Sequence, residues 1–267
     1  MNDNMKCRLC QSNDLKLLVK QGDKGQYKYY QCNNCKLVNL DLSNISISEN
    51  QEKYFQRFNP FENYEDDLRV KAAYGYIKKH VPVKSRFMDI GCGGGSLLYF
   101  AKQDGWEVKG MEISPGYTEY VRDRLNVEVI TADFLLYESH DEKFDLVSLR
   151  HVLEHLPDSI LAMNKISDML KPGGYGHFEF PNINSITHRF QRFLTRNKLS
   201  RKEYEPDYKP GHCNEFCKES FMYLLNLTGF ELINWETYSF KRFTNFLYNH
   251  IKIGTKARAI VRKLPQS

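Results

Sequence analysis

Residues 87–95 read Phe-Met-Asp-Ile-Gly-Cys-Gly-Gly-Gly, and this stretch decides how the chain folds. An apolar run reaches Asp89, and a helical pattern begins at Ser96. Four glycines stand between them, of which Gly91, Gly93 and Gly95 occupy alternate positions. A glycine turn between a strand and a helix lets the backbone approach a ligand and directs free N–H groups at it. The stretch therefore predicts a ligand-binding turn at the end of a strand.

Glu112 ends the next apolar run and lies 21 positions after Gly91. A carboxylate at this spacing suits hydrogen bonds from ribose hydroxyls. A dinucleotide loop requires Gly-x-Gly-x-x-Gly, but Ser96 stands where the last glycine would be. The observed pattern, Asp-x-Gly-x-Gly-x-Gly, therefore disfavours a dinucleotide.

Beyond the loop, strand-like and helix-like segments alternate along the chain. The strands are predicted at 86–90, 106–111, 127–131, 144–149, 175–180 and 230–238, and the helices at 61–80, 96–104, 115–125, 158–170 and 219–227. Such alternation predicts an α/β fold, in which helices cover both faces of a parallel sheet. The ligand is then expected beyond the carboxyl ends of the strands.

The order of these features resembles the class I S-adenosylmethionine-dependent methyltransferases. The resemblance covers residues 60–240 and rests on the glycine loop, Glu112, Thr131-Ala-Asp-Phe134, the strand Phe144–Leu149 and the turn Leu170-Lys-Pro-Gly-Gly174. It implies a Rossmann-like sheet and S-adenosyl-L-methionine as the cofactor.

The resemblance also assigns roles to the cofactor residues. It implies that the three glycines approach the methionine part of the cofactor, with Asp89 bonding near its amino acid moiety. Glu112 would accept from the ribose hydroxyls, and Asp133 from the adenine amino group, with Phe134 beside the ring. Arg150, at the end of the fourth strand, is counted with this set.

A cluster of histidines follows the fourth strand, in the run Arg150-His-Val-Leu-Glu-His-Leu-Pro-Asp158. Methyl transfer to a hydroxyl is an in-line displacement that needs a base, and histidine has a suitable pKa. His151 and His155 would share one face if this segment were a helical turn, and His212 is a third candidate. If the helix begins only at Asp158, residues 151–157 form a loop, and either histidine would only stabilise that loop.

The same run also resembles the ubiquinone-biosynthesis-like methyltransferases, some of which use a Glu-His pair with a divalent ion. Glu154 and His155 would form that pair here.

Four cysteines at the front of the chain predict a zinc ribbon. They form two Cys-x-x-Cys pairs, separated by 21 residues: Cys7, Cys10, Cys32 and Cys35. Two such pairs bring four thiolates to one tetrahedral Zn²⁺, and a full shell of thiolates is typical of a structural site. About forty residues bury too little apolar surface to fold alone, so a metal explains how this segment folds.

The domain organisation follows from these motifs. We predict a zinc ribbon over 1–40, a linker over 41–60, a methyltransferase domain over 61–240 with an insert or lid at 182–218, and a basic segment over 241–267. The last segment carries seven cations and no acid, so the rest of the chain sums to −2 of the total net charge of +5. A basic tail can contact phosphate, nucleic acid or a membrane surface, or remain solvated.

The composition is that of a soluble globular protein, with 41% hydrophobic and 27% charged residues in 267. No apolar run is long enough to span a bilayer or suited to secretion, which predicts a cytoplasmic protein.

A ribbon followed by a class I methyltransferase domain resembles enzymes that methylate sugars and other small metabolites. This resemblance implies O-methylation of a sugar or of a glycan or natural-product intermediate. An anionic acceptor is favoured by the cations of the insert, which are Arg189, Arg192, Arg196, Lys198, Arg201 and Lys202. Two alternatives stay open. One is methylation of a ribosomal RNA base, because the ribbon is rich in lysine, and the other is a non-catalytic zinc- and cofactor-binding module.

Overall fold

The computed structural model describes residues 5–22, 25–43, 45, 60, 62–138, 141–196, 211–239 and 254–265. Most of the predicted linker 41–60 lies outside the described residues, as do parts of the insert and of the basic segment. In the part of the chain that is described, no helix is both long enough and apolar enough to cross a membrane.

The described strands, numbered along the chain, are β1 (Leu15–Gln21), β2 (Tyr27–Cys32), β3 (Val38–Leu40), β4 (Arg86–Ile90), β5 (Glu107–Glu112), β6 (Glu128–Thr131), β7 (Phe144–Arg150), β8 (Leu170–Pro181), β9 (Asn214–Glu215), β10 (Phe230–Tyr238) and β11 (Lys256–Lys263). The α-helices are α1 (Leu68–His80), α2 (Ser96–Gln103), α3 (Pro115–Leu125), α4 (Ser159–Met169), α5 (Ile186–Arg196) and α6 (Lys218–Thr228). Two short 3₁₀ helices cover Tyr64–Asp66 and Leu153–His155.

The main sheet has seven strands in the order β10-β11-β8-β7-β4-β5-β6. The pairs β7–β8, β4–β7, β4–β5 and β5–β6 are parallel, and β11 runs antiparallel to both of its neighbours. This is the α/β, Rossmann-like architecture that the alternation of elements predicts. The carboxyl ends of β4, β5 and β7 meet at one edge, where the glycine loop, Glu112 and His151 lie.

One predicted helix boundary differs from the structure by seven residues, and five others differ by one. The helix expected over 61–80 begins only at Leu68, because the side chain of Asp67 accepts from the Val70 N–H and caps it. The helix expected to end at residue 170 ends at Met169, and β8 begins at once with Leu170. Leu170 is already paired with Phe144 of β7, but the next pair is Leu146 with Tyr175, so the Lys-Pro-Gly-Gly segment bulges out of the ladder between the two pairs.

The basic segment contributes a strand to the interior of the sheet. Lys256–Lys263 forms β11 between β8 and β10, which places part of the 241–267 segment inside the main sheet. Ala257, Ala259 and Val261 are fully buried. The cations of the strand alternate with these residues, as the period-two geometry of a strand requires.

Helices cover both faces of the sheet. On one face α1 and α2 pack against Phe87, Leu146 and Ile260. On the other, α4 and α6 pack in a cluster that contains Phe178 and Phe180 of β8. That second cluster also contains Cys7, Cys32, Cys35 and two leucines of the N-terminal ribbon, Leu9 and Leu37. The ribbon and the main sheet therefore share one hydrophobic core.

The N-terminal sheet also has a strand from far along the chain. Its order is β1-β2-β3-β9, and β9 is the pair Asn214–Glu215 at the end of the predicted insert. The segment that carries His212 is thus attached to the ribbon by main-chain pairing.

Candidate active site and metal centres

The glycine loop follows β4 in a conformation that favours glycine. Gly91, Gly93 and Gly95 have φ values of +68°, +51° and +83°. At Gly91 a Cβ would lie 2.4 Å from Cγ2 of Val152, so a larger residue is excluded there by contact as well as by φ. The loop that follows β7 therefore packs directly against the glycine loop.

Glu112 holds the glycine loop from the neighbouring strand. It is the last residue of β5 and is 2% exposed. Its Oε2 accepts from the Gly93 N–H at 2.8 Å, and its Oε1 accepts from the Ser114 N–H at 3.0 Å. Since carboxylate oxygens have several lone pairs, the same group can also accept from a ligand's hydroxyls.

Asp89 is a buried carboxyl beside the loop. It is 3% exposed, and among the described residues its Oδ1 has no hydrogen-bond partner. Burial raises the pKa of Asp89 to about 7, against the opposing charge of Arg150 and a hydrogen bond from Ser148. Glu112 and Glu179 add to the rise, because nearby negative charge disfavours a second carboxylate. A cationic ligand beside Asp89 would oppose this rise, because a nearby positive charge favours the ionised carboxylate.

Asp133 and Phe134 follow β6 at the same edge of the sheet. Asp133 Oδ1 accepts from the Leu135 N–H at 2.9 Å, in a turn that its side chain helps to close. Phe134 is buried in the core with Ile90 and Met111. Its place beside an adenine ring stays a prediction, as does the contact of Asp133 with the adenine amino group.

Arg150 is already engaged by a second buried carboxylate. Its Nε donates to Glu179 Oε2 at 2.9 Å. Burial opposes ionisation of Glu179, but the charge of Arg150 outweighs it and lowers the pKa of Glu179. Arg150 also favours the carboxylate form of Asp89. Its direct contact with a cofactor stays a prediction.

His151 turns the chain immediately after β7. It has a φ of +55°, in the left-handed region that non-glycine residues rarely adopt, and its N–H donates to Glu179 O at 2.7 Å. Its Nδ1 donates to Glu154 Oε1 at 3.1 Å, and its Nε2 accepts from the Lys256 ammonium at 2.9 Å. Strained backbone at a polar site is a common mark of function.

Of the two alternatives for residues 151–157, the helical turn that would place His151 and His155 on one face is not formed. The 3₁₀ helix covers only Leu153–His155, and the positive φ of His151 directs its ring elsewhere. His155 instead meets His212, with ring centroids 4.7 Å apart at 83°. Two of the three candidate histidines therefore lie together, and the third lies beside Glu154.

Glu154, His155 and His212 form a group with the composition of a metal site. Their ligand atoms lie within 4.8 Å of one another. His155 Nδ1 donates to Gly211 O at 2.9 Å and His212 Nδ1 donates to Glu215 Oε1 at 2.9 Å, which leaves each Nε2 with its lone pair. Glu154 is 1% exposed, and its Oε2 has no hydrogen-bond partner among the described residues.

The charges of this group follow from its neighbours. Burial opposes ionisation of Glu154, but the hydrogen bond from His151 and the nearby imidazoles lower its pKa. The residue His155 is exposed, but the groups packed around its ring desolvate it and lower its pKa, against the pull of Glu154. The pKa of His212 is raised, because its bond to Glu215 outweighs burial.

The four predicted zinc ligands lie together in the ribbon. The Sγ atoms of Cys7, Cys10, Cys32 and Cys35 lie within 4.8 Å of one another. The Cys7–Cys35 and Cys10–Cys32 separations are 3.5 and 3.4 Å, well beyond the ~2.05 Å of a disulfide. Asn39 Nδ2 donates to Cys7 Sγ at 3.6 Å, as an outer partner of a ligating thiolate would.

Three residues that sequence reasoning did not select complete these sites: Lys256, Glu179 and Arg8. Lys256 was visible only as one cation of a basic segment, and Glu179 as part of a predicted strand. Their proximity to His151 and Arg150 depends on the pairing of β11 with β8 and of β8 with β7. No local pattern marks Arg8.

Comparisons with known proteins agree with this geometry. The family described as "Methyltransferase domain" matches residues 77–234. A ubiquinone biosynthesis O-methyltransferase of Azoarcus sp. (strain BH72) is 27% identical over 155 residues, which cover 54% of this chain and 66% of that protein, just under two thirds of its length.

The fold has similar solved structures. The PH0226 protein of Pyrococcus horikoshii OT3 matches with a TM-score of 0.58 and 19% identity, over 80% of this chain and 99% of that chain. A SAM-dependent methyltransferase of Archaeoglobus fulgidus matches with a TM-score of 0.55 and 19% identity, over 82% and 100%.

Proposed function

This chain belongs to the methyltransferase-domain family, as a class I S-adenosylmethionine-dependent methyltransferase, and we propose that it methylates a hydroxyl oxygen of a small-molecule acceptor. The observation that carries the proposal is the Glu154–His151 pair beside the glycine loop. The name of the Azoarcus relative supports an oxygen acceptor.

The pair has the arrangement of a general base and its orienting group. Glu154 holds Nδ1–H, which fixes the tautomer and leaves Nε2 of His151 as the proton acceptor. The hydroxyl proton passes to Nε2 as the oxygen forms a bond to the methyl carbon. When bound, S-adenosylmethionine would supply the methyl group and would leave as S-adenosylhomocysteine, with the electron pair of the broken carbon–sulfur bond on its sulfur. Val152, in contact with the Gly91 position, keeps this base close to the loop assigned to the cofactor.

Lys256 favours an acceptor that carries negative charge. Its ammonium donates to Nε2 of His151, the atom that must receive the acceptor's proton. A hydroxyl that displaces this ammonium would donate to Nε2 in its place, and the ammonium would then lie beside the acceptor. A phosphorylated or nucleotide-linked sugar fits this environment, and so does a phenol with a carboxylate.

The direct test is transfer of labelled methyl from S-adenosylmethionine to a panel of acceptors. The panel contains sugar phosphates, nucleotide sugars, 3,4-dihydroxybenzoate and ribosomal RNA. Methylation of oxygen on a small molecule supports the proposal. Methylation of RNA alone, with a steep dependence on salt, would replace it with the nucleic-acid alternative. Cofactor binding without transfer to any member would favour the non-catalytic alternative.

Glu154, His155 and His212 have the donor set to hold a divalent cation, an ion that the resemblance to the ubiquinone-biosynthesis-like enzymes implies. These residues fit a cation in two respects. The buried Oε2 of Glu154 lacks a hydrogen-bond partner among the described residues and could bind the ion, and the Nδ1 atoms of both imidazoles are bonded elsewhere, which leaves each Nε2 as a ligand. Such an ion would supply Lewis-acid polarisation of the acceptor oxygen. The acceptor panel is therefore run both with Mn²⁺ and with a chelator.

Cofactor affinity is expected to rise with pH. The pKa of Asp89 is about 7 in the protein without cofactor, so its carboxyl is largely protonated at pH 6 and ionised at pH 8. The cofactor's ammonium group favours the ionised form, so the Kd should fall by up to about tenfold per pH unit below 7 and level off above it. Calorimetry in two buffers of different ionisation enthalpy at pH 6.5 should detect proton release on binding. Asp89→Asn should bind weakly, with no such pH dependence.

We further propose that the ribbon holds one structural zinc ion. Purified protein should contain about one zinc per chain, since four thiolates complete a tetrahedral shell. Cys32→Ser should lose the metal and expose the ribbon to protease, because so small a segment has little core of its own. Cys92→Ser is the matched control, since Cys92 is also buried but lies in the glycine loop. A control that lost zinc equally, or a wild-type protein without zinc, would contradict the assignment.

A further inference from the structure

Arg8 links the ribbon to the segment that carries His212. It lies between Cys7 and Cys10, and its guanidinium reaches three acceptors outside its own knuckle. Nη1 donates to Leu40 O at 2.8 Å, Nε donates to Asn214 Oδ1 at 3.1 Å, and Nη2 donates to Cys213 O. A planar guanidinium fixes the relative positions of its acceptors more strictly than an ammonium can.

The same two residues, Cys213 and Asn214, hold the loop of the candidate active site. The Cys213 N–H donates to Glu154 O at 2.8 Å, and the Asn214 amide donates to Leu156 O at 2.7 Å. Cys213 Sγ donates to His155 O at 3.4 Å. Residues 213–214 therefore stand between Arg8 on one side and the main chain of Glu154, His155 and Leu156 on the other.

A second set of bonds ties Arg8 to the thiol cluster. Its N–H donates to Asn39 Oδ1 at 3.0 Å, and Asn39 Nδ2 donates to Cys7 Sγ at 3.6 Å. Asn39 and Asn214 are both fully buried, so their amide groups depend on these partners rather than on water. A continuous chain of hydrogen bonds thus runs from the thiol cluster through Arg8 to Glu154 and His155.

We propose that Arg8 is a positioning residue for methyl transfer, through which the zinc ribbon sets the geometry of the Glu154–His155 loop and His212. The proposal rests on the proposed function, since it assigns this loop to the acceptor side of the site. The glycines, Asp89 and Glu112, which are assigned to the cofactor, lie at the ends of β4 and β5, beyond the residues that this chain of hydrogen bonds reaches. Loss of Arg8 should therefore affect transfer to the acceptor and leave cofactor binding intact. The ribbon is then part of the acceptor site's support rather than only a cap on the domain.

The test compares Arg8→Ala and Arg8→Lys with Lys6→Ala, an exposed cation of the same knuckle. For each variant we would measure zinc content, S-adenosylmethionine affinity, amide exchange of segments 152–157 and 211–217, and kcat with the acceptor that the panel identifies. Arg8→Ala should lower kcat at least tenfold and accelerate exchange in both segments, with cofactor Kd within twofold of wild type. Arg8→Lys should be intermediate, and added guanidinium should restore part of the activity of Arg8→Ala.

Two results would overturn the proposal. One is an Arg8→Ala protein with wild-type kcat and wild-type exchange. The other is loss of cofactor affinity in parallel with kcat in both Arg8 variants, because a general loss of folding would then explain the effect. If wild-type protein transfers methyl to no acceptor, the proposed function fails. The exchange rates and cofactor affinity then still decide whether Arg8 couples the ribbon to this loop.

Discussion

Replacing Glu112 with alanine is expected to abolish S-adenosylmethionine binding in a calorimetric titration. The carboxylate is assigned to the ribose hydroxyls, and it also holds the Gly93 and Ser114 N–H groups of the two loops around the site. Each hydrogen bond to a charged group contributes ~1.5–3 kcal/mol, so losing several of them weakens binding by ~100-fold or more. Asp89→Ala should have a similar effect, through loss of the carboxylate that is assigned to the cofactor's ammonium.

The matched control is Glu107→Ala, at the opposite end of the same strand. Glu107 is exposed and paired with Arg86, so its loss should change neither folding nor cofactor affinity by much. NAD serves as the ligand control and should not bind to the wild-type protein. Unchanged S-adenosylmethionine affinity in both Asp89→Ala and Glu112→Ala would show that the cofactor site has been assigned to the wrong residues.

The second large effect is expected at His151. His151→Asn should lower kcat by ~10²–10⁴-fold, the usual contribution of a general base, while the cofactor Kd stays near that of wild type. Asparagine is chosen because it tolerates a left-handed backbone and can still donate to Glu154. The substitution therefore removes the base while it retains both the turn and the partner of the buried carboxylate.

His80→Asn is the control, because His80 lies at the end of α1, far from the carboxyl edge of the sheet. His155→Asn and His212→Asn are compared in the same assay. If His151→Asn keeps wild-type kcat and one of these two loses it, the base or the metal site lies in the His155–His212 group instead. If His155→Asn or His212→Asn loses the activity that Mn²⁺ adds and keeps the activity measured with a chelator, the group is the metal site.

Local pattern was enough to predict most of the main sheet. The bounds of β4 and β10 agree with the sequence prediction, and those of α3 agree as well. Each of these elements has its own period of apolar residues and its own end signal, such as the left-handed Gly229 that closes α6 before β10. The segment beyond residue 240 could not be placed from the sequence, because β11 alternates alanines with cations and resembles a solvated tail.

The residues of the candidate site also fall into those that local sequence pattern predicts and those that it does not. Asp89, the glycines and Glu112 were predictable because the motif places them within one strand–turn–helix unit and at the end of the next strand. The sequence left open whether His151 and His155 share a helical turn or lie in a loop, and the φ of +55° at His151 excludes the shared turn. A backbone conformation that the residue type disfavours is set by surrounding structure, here the bond from the His151 N–H to Glu179 O.

The sequence by itself determined the α/β class, the glycine loop and the set of four thiols, because each depends on neighbouring residues or on fixed spacings. Only the tertiary structure decided which groups meet across long separations. Lys256 reaches His151 across 105 positions, and Arg8 reaches Asn214 across 206. Periodicity encodes which face of an element is buried, whereas the partner of a buried polar group depends on how the sheets pair and pack. For that reason the contacts of Lys256 and Arg8 became visible only in the folded chain.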